Sequence, residues 1–134
     1  MQSRSFPISL LALIVFIALT NWLAEVYFWY WRMRWFDIPM HFLGGIWLAA
    51  AFLWWKYARK GYPLPRFAKI LAVSLVAALG VGLIWEIIQA GLGLETVGHV
   101  NRMSGTIKDL FFDTLGGITA AAWVEVRSRN NIHK

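Results

Sequence analysis

The chain has 134 residues, of which 59% are apolar and only 15% charged, with a formal net charge of +6 and no cysteine. A soluble domain carries about a quarter charged residues, so this composition excludes an ordinary soluble globule, a disordered tail and a nucleic-acid module. The absence of cysteine excludes a disulfide framework, thiolate metal sites and thiol catalysis.

A bilayer span needs roughly 20 mostly apolar residues. Four runs approach that length, over residues 6–30, 38–57, 67–92 and 108–126. The first is too long for a signal-peptide core and has no clean small-residue cleavage site, so it reads as a retained helix. Between the second and third lies a basic turn, Arg59 to Arg66, whose Pro63 and Pro65 stop any helix. Residues 93–106 separate the third from the fourth. The four runs use most of the chain. The reading is one all-α domain, a polytopic membrane bundle of four helices over residues 1–134.

Charge sets the orientation. Arg4, Lys56, Arg59, Lys60, Arg66, Lys69, Arg127, Arg129 and Lys134 fall on one side; Arg32, Arg34, Arg102 and Lys108 fall on the other. The positive-inside rule puts both termini in the cytoplasm and makes this a multi-pass protein of a bacterial inner membrane. The +6 charge thus records membrane orientation, with no nucleic-acid partner. Trp22, Tyr27, Trp29, Tyr30, Trp31 and Trp35 mark the outer interface, and Trp54, Trp55 and Tyr57 the inner one.

Of seven acids only Glu125 falls on the cytoplasmic side. Asp37 and His41 are four apart and share a helix face; so do Asp109 and Asp113, while Glu86 and Gln89 are three apart. Three helices therefore each present a polar pair at one depth, in the outer half of the bilayer. Charged groups there are costly and face the bundle interior. Two structural roles compete with a functional one: capping of helix starts by Asp37 and Asp109, and a polar network that holds the helices in register.

Shifted by 72 residues, the segment from Asp37 to Ala50 lies over that from Asp109 to Ala122, with seven of fourteen positions identical. Each unit has an acid, a polar group one turn deeper, and a glycine pair. Both helices would run outside to inside, a parallel two-hairpin repeat. Gly45 with Ala49, Gly117 with Ala121, and Ala78 with Gly82 predict close helix contacts.

Four carboxylates and one imidazole suit a divalent cation such as Mg, Mn or Zn. The ligand set is Asp37, His41, Asp109 and Asp113. A site with such an ion can polarise a phosphoryl group and activate water. At this depth the substrate would be a lipid or lipid-linked phosphate. Glu86, His41 and Asp113 are the candidate catalytic groups, and Gln89, Arg102 and Lys108 the ligand-binding ones, the two bases for phosphate charge. Without a metal, crowded carboxylates share protons, as in a proton relay.

Asp37-Ile-Pro-Met-His41-Phe42, Glu86-Ile-Ile-Gln89 and Asp109-Leu-Phe-Phe-Asp113-Thr114-Leu115-Gly116 resemble motifs of the VanZ-like membrane protein family, including its YjdF-type relatives. Asp113 stands where many members have asparagine, which leans toward the YjdF-type group, and Arg102 lies near the family's loop arginine. The resemblance implies a small helical bundle and an outward-facing role in the cell envelope. For some members it implies resistance to glycopeptide antibiotics of the teicoplanin type.

Two non-enzymatic readings stand beside the metal-dependent enzyme. One is an accessory protein that binds a lipid headgroup or amphiphile. The other is a small structural subunit, as a homo-oligomer or part of a larger membrane complex.

Overall fold

The computed structural model describes residues 5–92 and 102–132, with the backbone alone for 102–104, 131 and 132. Among the described residues every regular element is helical. α1 is Ile8–Val26, α2 Trp29–Arg32, α3 Asp37–Lys56, α4 Phe67–Leu92 and α5 Arg102–Ile132. A 3-10 turn, Ala58–Lys60, follows α3 and ends at Gly61, whose φ of +69° reverses the chain ahead of Pro63.

α3 and α4 match the expected apolar runs to within a residue. The expected single helix over 6–30 is instead broken. Tyr27 leaves helical geometry, and Phe28 adopts a left-handed φ of +56°. That conformation costs a bulky L-residue about 1–2 kcal/mol. The aromatic run around it offsets the cost. Trp29 and Tyr30 set ring edges against the buried Phe36 at 5.4 and 5.3 Å. The Tyr30 hydroxyl donates to Asn21 Oδ1 at 2.6 Å. Burial, with help from the Asp37 and Glu25 carboxylates, pushes the Tyr30 phenol up to about 12, so it stays a neutral donor. α1 therefore ends early, and α2 packs against the end of α1 and against Phe36.

The fourth helix is longer than the expected 108–126. No proline interrupts 102–132, and an i,i+4 pair, Arg129 Nε to Glu125 Oε1 at 2.8 Å, supports its last turns. Asp109 consequently lies about two turns inside α5. It does not cap that helix. Asp37 is the first residue of α3, where Phe36 holds the N-cap position and makes no side-chain cap bond.

Three helical segments are long and apolar enough to cross a membrane: Ile8–Val26, Asp37–Lys60 and Phe67–Leu92. α5 is long enough, but Lys108, Asp109 and Asp113 interrupt its apolar run.

Contacts fix the helix directions. Asp37 and His41 on α3 meet Lys108 and Asp113 on α5, and further on Leu53 and Tyr57 cluster with Ala121, so α3 and α5 run parallel. Ile70 near the start of α4 joins that same cluster, while Gly82 later in α4 abuts Asp113. α4 thus runs antiparallel to both. α1 also opposes α3: Phe6 packs edge-on against Trp54 at 4.9 Å, and Trp47 Nε1 donates to the Leu10 carbonyl at 2.8 Å. The start of α1, the 57–66 turn and the end of α5 therefore lie at one end of the bundle. The acids other than Glu125 that the structure describes lie toward the other. Leu11, Val15, Phe16, Leu19 and Trp22 on α1 are exposed, as a lipid-facing helix requires.

The small residues mark the helix crossings. A Cβ on Gly45 would overlap the Asp113 backbone, and one on Gly116 would overlap the Phe42 carbonyl and the Ile46 nitrogen. One on Gly117 would come within 3.2 Å of the Ala78 Cβ. Ala49, Ala78 and Ala121 are fully buried. The two segments of the 72-residue shift lie on these neighbouring parallel helices, and the His41–Asp113 contact itself has that separation.

Candidate functional site

The site forms where the first turns of α3 meet the middle of α5. The i,i+4 spacing puts Asp37 and His41 on one face of α3, and Asp109 and Asp113 on one face of α5. The glycine crossing just below brings those faces together.

His41 is the centre. Its Nε2 lies 3.4 Å from Asp37 Oδ1 and 3.7 Å from Asp109 Oδ2; its Nδ1 lies 3.3 Å from Asp113 Oδ1. Each ring nitrogen thus faces carboxylate oxygen. Asp109 and Asp113 are buried, at 6% and 4% exposure. Asp37 and His41 are half-buried.

Lys108 supplies the local positive charge. Its ammonium lies 3.1 Å from Asp37 Oδ2 and 3.4 Å from Asp109 Oδ1. The first contact is a hydrogen bond. The second is an ion pair without the angle of one, and Asp109 Oδ1 is buried with no hydrogen-bond donor among the described residues.

One ligand atom each from Asp37, His41 and Asp109 falls within 4.8 Å of the others, a spacing compatible with one metal ion. Asp113 stands apart from that trio. It meets the opposite nitrogen of His41, and its other oxygen occupies the notch that Gly82 leaves on α4. A carboxylate on the far nitrogen fixes the orientation and tautomer of a ligating histidine. The geometry therefore separates Asp113 from the three groups that converge.

Glu86 and Gln89 sit in the last two turns of α4, both half-buried. Glu86 Oε2 accepts a hydrogen bond from the Thr106 hydroxyl at 2.8 Å, and its Oε1 is buried without a partner among the described residues. Glu86 thus pairs with α5 a turn from its start, rather than with His41 or Asp113. The Arg102 side chain and Glu95 lie outside the described residues. Thr106 is the residue that the sequence reasoning missed. Its i,i+3 relation to Asp109 was the available signal.

A family model described as predicted membrane protein (DUF2238) matches residues 2–130. No curated protein and no solved structure matches the chain. The match takes in every residue of the site and all of the helices but the last two residues of α5, and the chain belongs to the DUF2238 family of predicted membrane proteins.

Proposed function

We propose that the protein is a metal-dependent membrane enzyme acting on a lipid or lipid-linked phosphate from the outer leaflet. The observation that carries this reading is the convergence of Asp37, His41 and Asp109 within 4.8 Å, on two helices locked by glycine contacts. Two carboxylates and an imidazole are donors for Mg, Mn or Zn. Bound there, the ion would act as a Lewis acid on a phosphoryl oxygen and make a bound water more acidic. Asp113 orients His41 through its Nδ1. Glu86, with one oxygen free of any described partner, serves as the base. Lys108, with Arg102 and Gln89 on the same side, holds the anionic headgroup. The resemblance to VanZ-like proteins supports an envelope role of this kind.

Purified full-length chain in nanodiscs should bind one Mn(II) saturably, read by loss of the free-ion EPR signal. Asp109→Asn should weaken that binding by about 100-fold or more, and Asp113→Asn by about 10–100-fold. Absence of saturable Mn(II) or Zn(II) binding at millimolar concentration defeats the proposal. A specific phospholipid recovered unchanged from metal-free, functional protein favours the accessory reading instead.

The reading includes four spans, with α5 as the last and both termini cytoplasmic. The up-down order of α1, α3, α4 and α5 supports it, as does the gathering of basic residues at one end. The chain has no cysteine, so single-cysteine labelling has no background. Arg34→Cys should react with an impermeant maleimide on intact cells, and Arg59→Cys only after permeabilisation. The reverse pattern inverts the site to the cytoplasmic side.

A further inference from the structure

Lys108 contacts the two carboxylates that a cation in this site would need. Its ammonium lies 3.1 Å from Asp37 and 3.4 Å from Asp109. Those aspartates, with His41, are the groups whose ligand atoms converge. An ammonium and a divalent ion cannot share so small a space, because like charges a few ångströms apart in a partly desolvated site repel strongly. Lys108 is therefore a competitor for the position as it stands.

Asp109 supplies a second, independent observation. The residue is 94% buried, being 6% exposed, yet its Oδ1 receives no hydrogen bond from a described residue. Lys108 compensates its charge but does not satisfy its lone pairs. A buried carboxylate oxygen left without a donor is unfavourable, and a cation coordinated directly at that oxygen removes the deficit. The Asp37 side of the pair differs, because there the ammonium donates a hydrogen bond. Lys108 is thus held by Asp37 and only balanced against Asp109.

The lysine is also able to leave. Its side chain is 30% exposed, against 9% for that of Asp109, so solvent reaches part of it. It is a compact charge on a flexible four-carbon stem with three rotatable donors. Moved outward, it becomes a point-charge partner for phosphate.

We propose that Lys108 is the resident counter-ion of the site: a divalent cation displaces it from Asp37 and Asp109, and the released ammonium then binds the phosphate group of the ligand. The inference rests on the metal-centred reading and adds its regulation. In the ion-free state Lys108 neutralises carboxylates that would otherwise repel across the α3–α5 contact. In the ion-bound state it faces the mouth. Ion and phosphate both favour the displaced lysine, so each strengthens the binding of the other, and linkage makes the effect reciprocal.

The test compares Mn(II) binding by full-length wild type, Lys108→Met and Lys108→Arg. Each is held in phosphatidylcholine nanodiscs alone, with inorganic phosphate, or with phosphatidic acid in the bilayer. Lys108→Met should bind Mn(II) about tenfold or more tightly than wild type, because a unit positive charge beside the ion is gone. Lys108→Arg keeps the charge and should bind no more tightly than wild type. Wild type should gain at least about fivefold in Mn(II) affinity when phosphate is supplied, and Lys108→Met should gain none. A gain with phosphatidic acid alone identifies a lipid headgroup as the source of phosphate, and a gain with inorganic phosphate alone a soluble one. If Lys108→Met does not fold, Lys108→Gln keeps a donor to Asp37 and gives the same comparison. Wild type that binds Mn(II) while the neutral variants bind no more tightly overturns the role of Lys108 and leaves the metal site standing. Wild type without phosphate coupling overturns the displacement. Failure of every variant and of wild type to bind Mn(II) overturns this inference together with the metal-centred reading.

Discussion

Gly45→Ala should lower the stability of the bundle by about 3 kcal/mol, whereas Gly44→Ala beside it should leave stability unchanged or raise it by about 0.5–1 kcal/mol. The two positions are adjacent in one helix, so helix propensity favours alanine equally at both. They differ in what a methyl group meets. At Gly44 there is nothing within 4 Å; at Gly45 a Cβ would run into the carbonyl, carbonyl carbon and Cα of Asp113. Those are backbone atoms, which cannot turn aside as a side chain can. Accommodating the methyl means moving α5 away from α3, and that separates His41 from Asp113 as well. Gly116→Ala attacks the same crossing from the other helix and should behave like Gly45→Ala. The measurement is denaturant-induced unfolding in mixed micelles followed by circular dichroism. Equal effects at Gly44 and Gly45 would mean that α3 and α5 do not meet at this point.

His41→Ala should cost about 3–5 kcal/mol, the range for removing one partner from a buried charged group. The imidazole stands between Asp37 and Asp109 on one nitrogen and Asp113 on the other. Without it Lys108 alone faces those carboxylates among the described residues, and its ammonium contacts Asp37 and Asp109 but not Asp113. Asp113, buried between α3 and α4, loses its one described side-chain partner. The same unfolding assay gives the cost. A double variant, His41→Ala with Asp113→Asn, should recover part of it, because the uncompensated charge is then gone. A loss under about 0.5 kcal/mol, as for an ordinary surface change, would show that the four side chains do not act as one network.

Much of this architecture was legible in the sequence, for identifiable reasons. The α3 and α4 boundaries followed from apolar runs of bilayer length ended by Pro63, Pro65 and polar residues. The meeting of His41 with Asp113 followed from i,i+4 spacing above glycine pairs. Both signals are local and periodic. The break at Phe28 was not legible, because a left-handed aromatic residue has no sequence signature and the contacts that hold the break are made by its neighbours, Trp29 and Tyr30, with Phe36 and Asn21. The early start of α5 was hidden for a similar reason. Residues 102–107 are too polar to continue an apolar run, yet nothing in them stops a helix. The division of labour around His41 was also out of reach. Spacing puts Asp109 and Asp113 on one face but does not say which ring nitrogen each meets. Lys108 illustrates the limit most clearly. Its location points to phosphate binding, but its pairing with an aspartate 71 residues away depends on how α3 and α5 pack.

The small cluster of Leu53, Tyr57, Ile70 and Ala121, closed around by Leu64, Leu71, Val73 and Val124, has a bioenergetic consequence. It fills the end of the bundle opposite the polar site with mostly apolar side chains, and moving a charge from His41 through such a layer would cost several kcal/mol.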